Sequence, residues 1–477
     1  MKNLICGETK FNGKKYKFDY RNNIIVLIPE VMENFVKWRF QHLGTENKYD
    51  YINLEGITNS GYYICFIHVR FSEIGSGALQ AFVPGYAICK ANGISPVPKF
   101  ENIEKIRFYG DCLDKFYYPK KIIDFNDIFS TKLRLELDKE KNKTRNFTIN
   151  KDTYSFGIYW KIPHGSNINQ VLDVYSYLDI KFNAKKDISQ IVEYYFNLKK
   201  FFSFINNRKY IKFEKILAYK KELINYGIGD EKNIQETTIE FELYFEDPDE
   251  KFDIDKSLNA IRLEDIEDKF IKLYKKVTDK EFLTEYYPLS KKDDSYIDNR
   301  KFANVSSAFE SEFNKLFPKY KSDVCEEYKE VKKMILKSVA NKRRKSNRAI
   351  ETSKGEKEIK YLKNVMKRCD YFSKVIAKIE GTLEEKIIYS YNRYSYVINK
   401  TRQNLMRNYG IKKLKNGTLA SKFAKRRNDI SHGNYTEGFS EIDIIAYELI
   451  RICIYALTLE RCGFSNERIK ELVDKIF

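Results

Sequence analysis

Near the end of the sequence, Arg427 and His432 are separated by four residues, and Gly433 follows directly. Histidine titrates close to neutral pH and can move a proton during a reaction. Arginine stays charged, and its planar fork of donors matches two oxygens of a phosphate. The pair therefore has the chemistry to break an RNA backbone by attack of its own 2′-hydroxyl, without a metal ion or other cofactor. Gly433 predicts that a helix ends here, so that the imidazole can turn back towards the guanidinium.

The spacing of this pair is a weak signal by itself. The sequence has four histidines, and chance would place an arginine five positions before one of them roughly one time in five. The context strengthens the signal, because Lys422, Lys425 and Arg426 precede the pair and a strongly apolar segment follows it. From the residues alone, a structural role remains open, with His432 capping a helix and Arg427 lying on the surface.

The positive charge of the chain is concentrated in one region. The formal net charge is +19, but residues 331–430 contain 28 lysines and arginines against 8 acidic residues, so this region alone carries +20. Such a concentrated field attracts a polyanion and predicts nucleic-acid binding, although a merely solvated surface is the alternative. We expect RNA contacts from these basic residues: Arg343, Arg344, Lys422, Lys425 and Arg426.

The composition indicates an ordinary folded protein with two or three domains. The 477 residues are 43% hydrophobic and 32% charged, which excludes a disordered or fibrous chain. The sequence contains no apolar run long enough to cross a bilayer and no apolar signal segment near its start. The eight cysteines are scattered singly, which predicts reduced thiols rather than a disulfide framework or a zinc site. We expect a cytoplasmic protein.

Two further sets of polar residues are not expected to do chemistry. The first is an acidic group in a charged linker without a nearby histidine: Asp293, Asp294 and Asp298. The second consists of the three isolated histidines: His42, His68 and His164. We interpret both sets as structural, so no metal site is predicted.

The pattern of apolar residues changes from strand-like to helical along the chain. Up to about residue 246, short β-branched and aromatic runs predict strands, among them a buried strand at 24–28 and further strands at 62–69 and 239–246. Within this part, apolar residues at steps of three and four predict one amphipathic helix over 187–206.

From residue 299 onwards the period is helical. An aromatic stripe from Phe302 to Phe317 predicts the first helix, and Gly463 and Ser465 predict the end of one helix and the start of the last. The other helices are expected at 321–340, 362–379, 383–409, 419–430 and 441–462, with a mobile loop or a solvated helix extension at 341–360. We therefore expect an α+β protein with a β-rich domain over 1–290 and an all-α helical bundle over 299–477.

The motif Arg427-Asn-Asp-Ile-Ser-His-Gly resembles the Arg-x4–6-His signature of HEPN-domain ribonucleases, in which Asn after Arg and Gly after His are common. Residues 305–310 resemble the opening helix of that superfamily in ApeA-type anti-phage proteins, and residues 446–476 resemble its ending. Residues 195–208 are similar to a helix-then-strand segment of the ApeA N-terminal domain. The resemblance covers most of the chain, but outside the motif it is one of pattern.

The resemblance implies a HEPN helical nuclease domain in which Arg427 and His432 form the catalytic pair and Asn428 helps to shape the site. It implies a homodimer with a composite active site, cleavage to a 2′,3′-cyclic phosphate and a 5′-hydroxyl, and a role as an abortive-infection effector. The β-rich domain would then act as a sensor or regulator that responds to a phage-derived trigger. Asp429 and Ser431 are expected to make helix-end hydrogen bonds, and Glu310 is expected to be structural rather than catalytic.

Two alternatives remain open. The helical domain could be a non-catalytic HEPN module that binds RNA or dimerises, with the Arg–His pair holding a turn. It could also be a single-HEPN ribonuclease that is guided by a small RNA.

Overall fold

Strands dominate the first part of the chain and helices dominate the second, so the predicted α+β class is confirmed. The structure is a computed structural model. It describes residues 4–29, 51–74, 78–90, 99–118, 121–123, 135–137, 143–161, 173–225, 234–245, 261–289, 291–294, 296–320, 326–377, 382–434 and 438–477. His42, His164 and Cys325 lie outside the described residues.

The chain divides into two compact units. The first consists of Met1–Thr278 and Tyr287–Asp293, and the second of Asp279–Tyr286 and Asp294–Phe477. Residues 279–286 thus belong to the second unit, and residues 287–293, which follow them in the chain, belong to the first. In the part of the chain that the structure describes, no helix combines the length and the apolar character needed to cross a membrane.

The first unit is built on antiparallel strands. The strands are β1 (Ile5–Phe11), β2 (Lys14–Arg21), β3 (Ile24–Pro29), β4 (Ile52–Thr58), β5 (Tyr62–Ile74), β6 (Ala78–Phe82), β7 (Gly85–Lys90), β8 (Ile103–Tyr109), β9 (Lys121–Ile123), β10 (Leu135–Leu137), β11 (Arg145–Ile149), β12 (Asp152–Lys161), β13 (Asp173–Lys186), β14 (Lys215–Asn225) and β15 (Ile234–Phe245). The helices of this part are α1 (Asp111–Phe116), α2 (Ile188–Asn206), α3 (Leu263–Ile266) and α4 (Phe270–Val277), and a short α5 (Lys291–Asp294) follows.

The long strand β5 belongs to two arrangements. Six strands in the order β5-β4-β1-β2-β3-β6 form a closed ring, because β6 pairs with the far end of β5. The first half of β5, residues 62–67, pairs with β7 and so starts an open sheet in the order β7-β15-β14-β8-β13-β12-β11. The separate pair β9 and β10 forms a small ribbon.

Apolar and polar residues alternate along the strands of the ring, and the apolar side chains fill its inside. In β2, Tyr16, Phe18 and Tyr20 are buried, while the lysines, the aspartate and the arginine of the strand are exposed. The strand predicted at 24–28 is present, but it is buried on one face only: Ile24 and Ile28 are 38% and 41% exposed. The reason is that β3 lies between β2 and β6 in the ring, where only one face of a strand meets the core.

Helix α2 confirms the amphipathic helix that the sequence predicts over 187–206. Asp187 caps its start in a capping box with Gln190, and Asn207 ends it in a left-handed conformation. The apolar face of α2 is buried in an aromatic cluster, in which Phe202 makes edge contacts with Phe116 and Phe213.

His68 has the structural role that we expected. Its φ of 53° lies in the left-handed region, at the point where the register of β4 against β5 shifts. Its backbone N–H donates to Asn53 Oδ1 at 3.3 Å, so this donor keeps a hydrogen-bond partner despite the irregular pairing.

The second unit is helical. Its helices are α6 (Asn299–Leu316), α7 (Glu326–Thr352), α8 (Glu356–Ala377), α9 (Leu383–Arg393), α10 (Ser395–Asn408), α11 (Asn416–Ser431), α12 (Glu441–Arg461) and α13 (Asn466–Asp474). The helix expected over 383–409 is divided at Tyr394, which is the end of α9 and the start of α10. The segment 341–360 is helical rather than a loop, apart from the turn 353–355, so the alternative of a solvated helix extension is the correct one.

Helix α12 is the centre of this unit, as its apolar sequence predicts. It is buried nearly all round, and α6, α10, α11 and α13 pack against it. Gly463 ends the helix with a φ of 82°, and its N–H donates to Glu460 O at 2.7 Å. The buried carboxylate of Glu312 on α6 forms an ion pair with Arg461, with 2.8 Å between Oε2 and Nη2, which joins α6 to the end of α12.

Candidate active site at the end of helix α11

Helix α11 carries both residues of the Arg–His pair and is held by its apolar face. Leu419, Ala420, Phe423 and Ile430 are buried. The ring of Phe423 stacks on Phe302 of α6 with 4.3 Å between the centroids. The polar residues of the motif therefore lie at the border of a fixed helix, where their backbone positions are well defined.

The helix ends where the sequence predicts. Gly433 has a φ of 78°, a conformation that suits glycine. His432 still follows the helical pattern, since its N–H donates to Asn428 O at 3.0 Å. The turn therefore comes one residue after the imidazole and not before it. On a helix, positions 427 and 432 are about 140° apart around the axis and about 7.5 Å apart along it.

Arg427 is half-exposed and has two partners on the protein. Its Nη1 donates to Asn428 Oδ1 at 3.3 Å, and its Nη2 lies 3.4 Å from Oε2 of Glu310 on α6. The side chain of Arg427 is 39% exposed and that of Glu310 is 29% exposed. The guanidinium is thus held in place, yet solvent and a ligand can still reach it.

His432 is exposed on a polar face of α11. Lys425, Asn428 and His432 follow each other at steps of three and four residues, so they share one side of the helix. All three are exposed. Asn428 is therefore adjacent to the imidazole by helical position and to the guanidinium by its hydrogen bond.

Glu310 is the residue of the site that sequence reasoning did not connect to the motif. It was expected to be structural, and the structure gives it an ion pair with Arg427. The only signal in the sequence is an acidic residue beside the buried Phe309 in a helix that should pack on the bundle. The partner of Glu310 lies 117 positions away, and no local pattern identifies it.

Arg426 is buried, which does not favour its predicted contact with RNA. Its residue exposure is only 8%. Its guanidinium lies over the ring of Phe439 at 4.5 Å and donates to Gly438 O at 3.0 Å. The reason is its position beside the buried Phe423 and Ile430 on the inner face of α11. Arg426 holds the segment that leads into α12.

The other expected RNA-binding residues face solvent. Lys422 and Lys425 are exposed on α11, and Arg343 and Arg344 are exposed on α7. Arg343 also pairs with Asp370 of α8 at 2.8 Å. Arg343 and Arg344 lie on α7 and Arg427 lies on α11, so the expected RNA-binding residues are divided between two helices.

The remaining polar residues of the motif hold the end of the helix. Ser431 Oγ donates to Arg427 O at 2.9 Å, and Asp429 O accepts from Asn434 N at 2.8 Å. The Ser431 bond is the helix-end hydrogen bond that we expected, whereas Asp429 takes part here through its backbone carbonyl.

The acidic residues near the unit boundary have structural partners. Asp298 caps α6 by accepting from Lys301 N at 2.7 Å, and Asp294 pairs with the buried Arg451 at 2.8 Å. Asp293 accepts from Leu289 N at 2.7 Å. In the described ranges, no group of three or more His, Cys, Asp or Glu side chains is arranged to hold a metal ion.

A scan against protein-family models, a search of curated proteins and a search of solved structures found no match to this chain. What the structure itself shows is an α+β protein with an exposed Arg–Asn–His arrangement at the end of a packed helix.

Proposed function

We propose that this chain is a metal-independent endoribonuclease of the HEPN type. The observation that carries the proposal is the arrangement of Arg427, Asn428 and His432. All three side chains are accessible on one packed helix, and Asn428 accepts a hydrogen bond from Arg427. A cleft for RNA needs accessible groups of these types.

The reaction needs one proton to be removed and one to be supplied. An imidazole of His432 takes the proton of the ribose 2′-hydroxyl, whose oxygen forms a bond to the adjacent phosphorus. The bond from phosphorus to the 5′-oxygen breaks, and a second, protonated imidazole gives that oxygen its proton. Arg427 holds the extra negative charge that the phosphorane carries. The products are a 2′,3′-cyclic phosphate and a 5′-hydroxyl.

We propose a homodimer because one copy of the motif has one imidazole. A second protomer would bring a second His432 and a second Arg427 to a composite cleft about a two-fold axis. Since Arg427 and His432 are about 140° apart on the helix, residues of two copies surround a phosphate more easily than residues of one.

The biological role that we propose is abortive infection in the cytoplasm, where cutting RNA stops phage growth. The β-rich unit would sense a phage-derived trigger or restrain the nuclease. This part of the proposal is supported by the sequence resemblance to ApeA-type proteins alone.

One observation favours a second candidate function, a non-catalytic module that binds RNA. The carboxylate of Glu310 offsets the charge of Arg427, as it would if the arginine only held α6 to α11. In that case the Arg–His pair would be a structural part of the helix end.

Substitution separates the two candidates. For an enzyme, His432→Ala should abolish RNA cleavage and leave RNA affinity within a few-fold. Arg427→Lys keeps the charge but loses the fork of donors, so cleavage should fall about 100-fold or more. Cleavage rates and binding would be measured on the same purified samples. Full cleavage by His432→Ala would show that the enzymatic assignment is wrong.

A further inference from the structure

Helices α7 and α8 form an antiparallel hairpin around a narrow apolar seam. Leu336, Val339 and Ile350 of α7 and Leu362, Met366 and Cys369 of α8 are the partly or fully buried residues of this seam. Together with Ser346 of α7, which is also buried, they recur at steps of three, four and seven, as in a two-helix coil. The ion pair of Arg343 with Asp370 lies across the two helices. The hairpin thus has a defined register and a large outer surface.

The outer surface of the hairpin is basic. Residues 326–377 contain 16 lysines and arginines against 7 acidic residues, a net charge of +9. The exposed basic side chains include Lys342, Arg344, Arg348, Lys357, Lys360 and Arg368. A field of this sign, spread along both helices, suits a long polyanion better than a single small anion.

Aromatic rings interrupt the basic residues on one side of α8. Lys357, Tyr361, Arg368 and Phe372 fall within about 60° of each other around the helix axis. Tyr361 is 67% exposed and Phe372 is 52% exposed. We name these four residues the α8 stripe. Its two rings are about 16 Å apart along the axis, and a basic residue stands near each of them.

The carboxylates of α8 do not disturb the stripe. Glu356, Glu358 and Asp370 are each displaced by about 70° or more from its centre. A phosphate near Lys357 or Arg368 therefore meets a cation without an acidic neighbour on the same line. Alternating rings and cations along one groove or face are what proteins use to hold unpaired nucleotides.

We propose that the α8 stripe binds single-stranded RNA. Bases stack on the rings of Tyr361 and Phe372, while Lys357 and Arg368 contact the phosphates between them. In a duplex the bases are stacked on one another, so no base face is free to stack on the rings. This inference deepens the proposed function, since it takes RNA as the ligand and states which form of RNA the hairpin selects.

A second copy of the chain is a poorer occupant of the stripe. Two stripes that face each other would bring cations against cations, and two hairpins of net charge +9 repel. Exposed rings alone would permit such a contact, but the charges on either side of each ring oppose it.

Binding by fluorescence anisotropy tests the proposal. All variants would be made in the full chain with His432→Ala, so that the RNA stays intact. The labelled ligands are an unstructured single-stranded RNA and a duplex of the same sequence. Tyr361→Ala/Phe372→Ala should weaken binding of the single strand about tenfold or more and leave the duplex within a few-fold. The salt dependence should not change, because no charge is lost.

Three controls make the result specific. Tyr361→Trp/Phe372→Trp should retain binding. Tyr296→Ala removes a ring that is 63% exposed outside the hairpin and should have no effect. Lys357→Gln/Arg368→Gln should reduce the salt slope by about 1.4, or 0.7 for each lost phosphate contact.

Two results would overturn the proposal. One is that Tyr361→Ala/Phe372→Ala binds the single strand with unchanged affinity. The other is that this double variant changes its oligomeric state and that this change accounts for its loss of RNA binding. The outcome is separable from that of the proposed nuclease. If the wild type never cuts but the stripe variants lose RNA, only the nuclease fails. If the wild type cuts and the stripe variants still bind the single strand normally, only the stripe fails.

Discussion

Glu310 changes how Arg427 can meet a phosphate. The carboxylate lies 3.4 Å from Nη2 of the guanidinium and so holds that side of the group. The other terminal nitrogen, Nη1, faces Asn428. A phosphate has to share the guanidinium with Glu310 or replace that carboxylate. Because both side chains are partly exposed, the ion pair is weak enough to open. Glu310 is therefore a positioning residue for Arg427 in the proposed reaction.

We expect Glu310→Gln to separate positioning from charge. The amide can still accept from Arg427 but no longer offsets its charge, so RNA affinity should rise slightly while the cleavage rate falls a few-fold to about tenfold. Single-turnover kinetics and binding would be measured together. Glu441→Gln removes an exposed carboxylate of α12 and serves as the control. Equal affinity and rate in Glu310→Gln and the wild type would exclude this role.

At the scale of elements, the periodicity of the sequence predicts most of the architecture. Helices α2, α12 and α13 appear where their apolar spacing and caps place them. The prediction fails where one pattern fits two environments. The run 24–28 is apolar throughout, yet closure of the ring leaves Ile24 and Ile28 on its outer face. The segment 341–360 is polar, yet it is helical apart from residues 353–355 and buries Ser346.

The same limit applies to the site. The Arg–His pair and Asn428 could be found because they are local in sequence. The burial of Arg426 could not, since it depends on Phe439, and the partner of Arg427 comes from another helix. Contacts between distant elements carry no local signature in one sequence.

Helix α1 of the β-rich unit provides a prediction about pH. Burial raises the pKa of Asp114 to about 6, although its Oδ1 accepts from Ser176 N at 2.5 Å. The folded protein therefore holds this proton more tightly than the unfolded chain. The resulting stabilisation is complete at low pH and is lost as the pH rises through about 6.

Asp114→Asn should therefore stabilise the protein above pH 6, by about 1–2 kcal/mol, with little effect well below that pH. Thermal unfolding of the full chain at several pH values would measure this. Asp268→Asn is the matched control, because the Asp268 side chain is 74% exposed. A gain that does not depend on pH would contradict the assignment to Asp114.

At the scale of the whole molecule, the proposed dimer requires each protomer to complete the cleft of the other. Mixing wild-type and His432→Ala subunits tests this requirement. If two imidazoles act in one cleft, activity should fall with the square of the wild-type fraction, because mixed dimers lack one proton carrier. A linear fall would show that each protomer cuts alone. Subunit exchange would be verified with differently tagged protomers.

The central claim is that Arg427 and His432 cut RNA without a metal ion, and the ends of the product fragments test it most directly. Wild-type protein and His432→Ala would be incubated with total cellular RNA in the presence of a chelator, and the new ends would be mapped. The account predicts 2′,3′-cyclic phosphates and 5′-hydroxyls with the wild type and none with His432→Ala. Ends of another chemistry, or the same ends with His432→Ala, would contradict it.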